Sequence, residues 1–157
     1  MKAATIKELR DELKNYSSKE LIEVCLRLSK FKKENKELLT YLLYESQNET
    51  SYIESVKQEI DEQFEEVNKK SFFFIKKSIR KILRNIKKHI RYSRKKETEV
   101  ELLIYFCQKL KEFKPSIKKN DTLSNLYFRQ INMINKTLPK LHEDLQFDYR
   151  EEMETLL

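Results

Sequence analysis

Lysine and arginine recur at three- and four-residue spacings between positions 76 and 96, and this pattern implies chemistry more directly than any other in the chain. On a helix, side chains three or four residues apart are neighbours on one flank. A flank of cations can follow a polyanion, because each phosphate that it neutralises releases a condensed counterion. The candidate polyanion-binding residues are Lys76, Lys77, Arg80, Lys81, Arg84, Lys87, Lys88, Arg91, Arg94, Lys95 and Lys96.

Tyr92 adds an aromatic ring to this basic run, beside Arg91 and close to Arg94. Aromatic side chains stack on unpaired bases, so Tyr92 is a candidate stacking residue. The chain contains no zinc finger and none of the glycine-bearing signatures of several RNA-binding modules. The pattern therefore predicts a non-enzymatic protein that docks on nucleic acid or another polyanion without strong sequence readout.

The net charge is concentrated in the same region. Residues 69–96 hold 13 basic and no acidic side chains, whereas residues 1–68 balance to −4 and residues 97–157 to −2, giving +7 in total. Residues 45–66 hold eight acidic side chains against Lys57 alone, so two neighbouring helices could neutralise each other. The alternatives are a protein-interaction module, whose same face meets an acidic partner, and contact with a membrane surface.

Carboxylates one helical turn apart offer a third hypothesis, which is an enzyme. Glu59, Glu62, Glu65 and Glu66 have the ExxE spacing that can hold Mg²⁺, and they resemble half of the all-α nucleotide pyrophosphatase pattern. The second half, an ExxD on a later helix, is missing. The chain has no glycine, which excludes P-loop, dinucleotide-binding and nucleophile-elbow motifs. We therefore name no catalytic residue.

Histidines and cysteines do not form a recognisable metal or redox motif. His89 and His142 are isolated; we expect His89 to contact a partner or extend to solvent, and His142 to form a surface salt bridge. Cys25 and Cys107 are far apart in apolar-periodic stretches, which favours two reduced, packed thiols. We predict neither a metal nor a cofactor.

Turn-forming residues are scarce, since glycine is absent and only two prolines occur. Apolar residues recur at helical period throughout. We therefore predict an all-α single domain over 1–157, with six to eight helices in a compact bundle or a short array of helical hairpins. The predicted helices cover about 5–15, 18–32, 35–46, 51–68, 69–96, 98–114, a segment beginning near 120, and 138–154.

Local signals refine these boundaries. Ser17 with Glu20 reads as a capping box, and the segment from Ser51 to Glu54 offers a second. Pro139 either kinks a helix or occupies the first turn of a new one. In the triplet at 72–74 we expect Phe72 in the core and leave the other two phenylalanines open.

Two longer stretches, KELRDELKNYSSKELIEVCLRLSKFKKENKELLTYLL and TEVELLIYFCQKLKEF, resemble a group of short, uncharacterised helical proteins from Bacteroidetes-type bacteria. The resemblance covers nearly the whole chain and implies a bacterial cytoplasmic setting, with no activity or site residue to carry over. The opening MKAATIKELRDELK has no apolar signal core, and no apolar run approaches about 18 residues. We therefore expect a soluble cytoplasmic protein.

Overall fold

The computed structural model describes residues 1–157, and all of its regular elements are helical. This confirms the predicted all-α class. The eight α-helices are α1 (Ile6–Leu13), α2 (Ser18–Phe31), α3 (Lys33–Thr40), α4 (Glu49–Glu65), α5 (Phe72–Ser93), α6 (Lys96–Glu112), α7 (Asp121–Thr137) and α8 (Glu143–Glu154). A π-helical turn follows α3 at Tyr41–Glu45.

Capping side chains mark the starts of several helices, and of the two capping boxes predicted, at α2 and α4, one is correct. At α2, the Glu20 amide donates to Ser17 Oγ at 3.2 Å and the Ser17 amide donates to the Glu20 carboxylate at 3.0 Å, which confirms the capping box. The box predicted at Ser51 is wrong. Helix α4 starts earlier, because the Asn48 side chain accepts the Ser51 amide at 3.1 Å and caps the helix three residues upstream of Ser51.

Helix α5 is shorter than predicted: it has 22 residues rather than a continuous run over 69–96. It ends at Arg94, which has a φ of 61° and donates its amide to Ile90 O at 2.9 Å. Glycine usually takes this left-handed position, and the chain has none. The break places Lys95 before α6 and Lys96 at its first position. At about 1.5 Å per residue, α5 is about 33 Å long.

The prolines mark the ends of two helices. Helix α6 stops at Glu112, ahead of Pro115, as predicted. Pro139 lies in a separate 3₁₀ turn, Leu138–Lys140, between α7 and α8. It therefore neither kinks α7 nor lies in the first turn of α8, so both alternatives are replaced by a short connecting turn.

Residues Glu45–Leu157 form one compact unit built around α6. Helix α6 packs against α4, α5, α7 and α8. A helix surrounded in this way must be apolar on most sides. Its buried residues include Val100, Leu102, Leu103, Ile104, Phe106, Cys107 and Leu110.

Polar contacts tie α4 to α6 around this core. Lys57 Nζ lies 2.8 Å from Glu101 Oε1, and Lys109 Nζ lies 3.0 Å from Asp61 Oδ1. The Tyr105 hydroxyl also donates to Asp61. Asp61, an acidic side chain of α4, is therefore directed toward α6 rather than toward α5.

Residues Met1–Tyr44 form the second compact unit. Helices α2 and α3 pack against each other, yet no aliphatic or aromatic side chain of α1, α2 or α3 is buried. Both cysteines are free; Cys107 is buried as predicted, but Cys25 in α2 is exposed, so the prediction of a packed thiol is wrong there. The assignment of one domain to 1–157 stays a prediction.

Burial of weakly acidic groups predicts a loss of stability in alkali. Burial raises the pKa of the Cys107 thiol and of the Tyr127 hydroxyl, each to about 12. Because the folded pKa lies above the unfolded value, the stabilisation is present below about pH 9 and is lost as the pH rises towards 12. Each group then lowers the free energy of unfolding by up to about 1.4 kcal/mol per pH unit.

Urea denaturation at several alkaline pH values measures this loss. Tyr127→Phe removes one titrating group. The slope of the free energy of unfolding against pH should therefore become shallower by up to about 1.4 kcal/mol per pH unit, which corresponds to one proton. An equal slope for the variant and the wild type would contradict the assignment of the shift to Tyr127.

Candidate polyanion interface

Helix α5 separates an apolar side from a cationic one. Its buried residues include Ile75, Ile79, Ile82, Leu83 and Ile86, which face the helices that α5 packs against, α4 and α6. Cations follow the opposite side at spacings of three and four residues. We call this set the basic face: Lys76, Lys77, Arg80, Lys81, Arg84, Lys87, Lys88 and Arg91.

Most of the predicted polyanion-binding cations are open to solvent. Seven of these cations are exposed and form no ion pair with an acidic side chain: Lys77, Arg80, Lys81, Arg84, Arg91, Arg94 and Lys96. Lys76 and Lys87 are half-buried, and Lys87 Nζ lies 3.7 Å from Met133 Sδ of α7. The cations of α5 thus remain available to an external anion along most of the helix.

Pairing between the acidic helix α4 and the basic segment occurs near the C-terminal end of α5. Lys95 Nζ lies 3.5 Å from the Glu49 carboxylate, which also accepts the hydroxyls of Ser93 and of Thr98. Lys95 is therefore partly neutralised and belongs to the junction between α5 and α6. Ion pairing between the acidic helix α4 and the basic segment is therefore present at this edge.

His89 lies at the same edge and has an internal role. A hydrogen bond of 2.8 Å joins its Nδ1 to the Tyr52 hydroxyl, and its Nε2 lies 3.1 Å from the Glu59 carboxylate. Both ring nitrogens thus contact α4. The prediction that His89 contacts a partner or extends to solvent is wrong, because these two side chains of α4 hold the ring in place.

Tyr92 is also directed inward. It is only 8% exposed, and its ring lies edge-on to His89 at 5.9 Å between centroids. Stacking on a base requires an accessible ring face. We therefore withdraw the stacking role predicted for Tyr92.

The phenylalanine triplet begins α5 and is more exposed than expected. Phe72 is half-buried rather than part of the core, whereas Phe73 and Phe74 are exposed and contact each other edge to face at 5.3 Å. The first turn of α5 therefore presents apolar rings next to Lys76 and Lys77.

A groove between α5 and α7 extends the cationic surface, and no pattern in the sequence indicated it. It has a volume of about 390 Å³. Its residues are Leu83, Lys87, Leu126, Arg129, Gln130, Asn132, Met133 and Lys136. Arg129 and Lys136 are exposed, but they are isolated cations in α7, so charge density along the sequence could not identify them.

The carboxylates with ExxE spacing do not form a metal site. Glu59 contacts His89, while Glu62, Glu65 and Glu66 are exposed on α4. Nowhere in the chain are three or more histidine, cysteine, aspartate or glutamate side chains grouped so that they could hold a metal ion. His142 is exposed, as predicted; its Nδ1 accepts the Asp144 amide at 3.3 Å and lies 3.7 Å from the Asp144 carboxylate, and the salt bridge itself stays a prediction because it requires a protonated ring.

The basic face carries an electrostatic cost in the isolated protein. Like charges at i and i+4 on a helix destabilise it by about 0.2–0.5 kcal/mol per pair. Lys77 with Lys81, Arg80 with Arg84 and Lys87 with Arg91 all have this spacing. A bound polyanion would remove this repulsion, so the surface is suited to an anionic ligand.

Comparisons of the chain with protein-family models, with curated proteins and with solved structures found no match. None of the helices is both long enough and apolar enough to cross a bilayer.

Proposed function

We propose that this protein binds nucleic acid, or a polyanion of similar charge density, through the basic face of α5. The observation that carries the proposal is a row of exposed α5 cations that form no ion pair: Lys77, Arg80, Lys81, Arg84 and Arg91. Members of this row that are three or four residues apart lie about 5–6 Å from each other, and the row extends for about 21 Å. The recognition is electrostatic and depends on the phosphates rather than on the base sequence.

Gel-shift assays with DNA and with RNA at two salt concentrations test this function. If about five phosphates are neutralised, affinity for duplex DNA should fall about 500-fold between 50 and 200 mM salt. No shift with either nucleic acid at the lower salt would remove the proposal. A complex that survives nuclease treatment would instead favour an acidic protein partner, and binding only to anionic vesicles would favour a membrane surface.

A further inference from the structure

The outer side of α7 combines an exposed aromatic ring with cations and amides. Phe128 is 56% exposed and lines a shallow depression of about 480 Å³. The remaining residues of the depression are Thr122, Asn125, Arg129 and Asn132. Arg129 and Asn132 also line the groove between α5 and α7, so the depression and the groove form one continuous surface.

Gln130 supplies a second observation in the groove. It is 3% exposed, and its Nε2 donates to Leu126 O at 3.2 Å. Its Oε1 is buried and has no hydrogen-bond partner. Buried acceptors are nearly always paired, so this oxygen calls for a donor that the protein does not supply, and a buried water or a ligand group can fill that role.

We propose that this surface binds single-stranded nucleic acid, an inference that rests on the proposed function. Phosphates contact Lys87, Arg129 and Lys136, while one base stacks on Phe128. Bases within a duplex are already stacked on each other, so an exposed ring adds affinity only for an unpaired base. The ring therefore favours single strands over duplexes that carry the same charge.

Binding of a labelled single strand and of its duplex to Phe128→Ala tests this specificity. Loss of the ring should weaken single-strand binding about 5- to 150-fold, the range that base–aromatic stacking provides. Affinity for the duplex should change less than about twofold, since phosphate contacts remain. Phe147→Ala is the matched control, because Phe147 is 64% exposed on α8 and lines neither the groove nor the depression.

Failure of this inference is distinguishable from failure of the proposed function. If the wild type binds both ligands and Phe128→Ala leaves single-strand binding unchanged, or weakens both ligands equally, the stacking site is wrong and the basic face stands. If the wild type binds neither ligand at low salt, both proposals fall.

Arg129→Gln should make the single-strand salt slope shallower by about 0.7, and an unchanged slope would remove Arg129 from the site.

A separate feature lies in the unit Met1–Tyr44, whose apolar side chains are largely uncovered. From α2 to the π-helical turn, the exposed apolar side chains have exposed fractions from 37% at Leu38 to 77% at Phe31. The exposed apolar residues from α2 to the π-helical turn are Ile22, Leu26, Leu28, Phe31, Leu38, Leu42, Leu43 and Tyr44. Taking about 150–200 Å² for each fully exposed side chain, they expose about 700–900 Å². A standard interface buries about 800 Å² per partner.

The unit Met1–Tyr44 is close to the size of about 40 residues below which a disulfide, a metal or oligomerisation is usually needed for stability. Both cysteines are free, and no side chains are grouped for a metal. The unit carries 10 basic and 7 acidic residues, a net charge of +3, so ion pairs between two copies can offset part of their mutual repulsion. We infer that α2 and α3 form an interface with a second copy of this chain, around the open groove of about 250 Å³ that includes Cys25, Leu28 and Leu39.

Sedimentation equilibrium of the full chain tests this self-association. The wild type should show twice the monomer mass, and Leu28→Glu with Phe31→Glu should give a monomer that keeps its helical circular dichroism. Phe147→Glu, an exposed change on α8, should leave the dimer intact. A monomeric wild type, or a dimer that survives the double substitution, would overturn the inference; flotation of a monomer with vesicles would assign the surface to lipid instead.

Discussion

Replacing Lys77, Arg80, Lys81 and Arg84 together with glutamine should lower the affinity for duplex DNA about a thousandfold at about 0.1 M salt. All four side chains are exposed, and none forms an ion pair within the protein. Each phosphate contact contributes nearly one logarithmic unit to the binding constant at this salt concentration. Four lost contacts therefore remove most of the electrostatic binding free energy.

A charge-matched control distinguishes binding by the basic face from a general effect of the protein's net charge. Lys114, Lys118, Lys119 and Lys140 are also exposed, and they lie outside α5. Their replacement by glutamine removes the same four charges and should weaken binding far less. If both quadruple variants lose affinity equally, the basic face has no special role. Stability should not fall in the α5 variant, because its like-charge pairs are relieved.

Phe106→Ala should lower the free energy of unfolding by about 3–5 kcal/mol, the usual cost of deleting a buried phenylalanine ring. Phe106 is fully buried in α6, and its ring centroid lies 6.0 Å from that of Phe64 in α4. The cavity would open where α6 meets its neighbours, which cannot close around it without moving. Domain stabilities are typically about 5–15 kcal/mol, so the variant should be partly unfolded at mild urea concentrations.

Urea denaturation followed by circular dichroism measures this loss, with Phe147→Ala as the control. Phe147 is exposed, so its removal should change the free energy of unfolding by less than about 0.5 kcal/mol. A cost below about 1 kcal/mol for Phe106→Ala would contradict the central position of α6.

Apolar periodicity predicted the core of the unit Glu45–Leu157 well. The apolar residues that recur at helical spacing between Ile53 and Val67 are all buried: Ile53, Val56, Ile60, Phe64 and Val67. A stripe specifies which side of a helix is apolar, and here packing against α5 and α6 covers that side. Local pattern and tertiary packing therefore agree.

Apolar periodicity did not predict burial in α2, where Leu28 and Phe31 also recur at helical spacing and are exposed. Periodicity does not show whether a partner covers the apolar side. The positive φ of Arg94 was also unpredictable, since glycine or asparagine would normally mark that position.

Side-chain direction limited the prediction of the candidate site. The cations of α5 could be placed on one flank from their spacing alone. The directions of Tyr92 and His89 could not be predicted in this way. The His89 ring is held by Tyr52 and Glu59 of α4, which are more than 25 residues away in sequence. Phe128 follows the buried Tyr127, and an aromatic pair does not show which ring is exposed.

The salt dependence of wild-type binding to duplex DNA tests the central claim most directly. With about five phosphates neutralised by the basic face, the logarithm of the binding constant should fall against the logarithm of the salt concentration with a slope near about −4.5. A slope near zero, or an absence of binding at low salt, would contradict the claim that exposed cations of α5 hold an external polyanion.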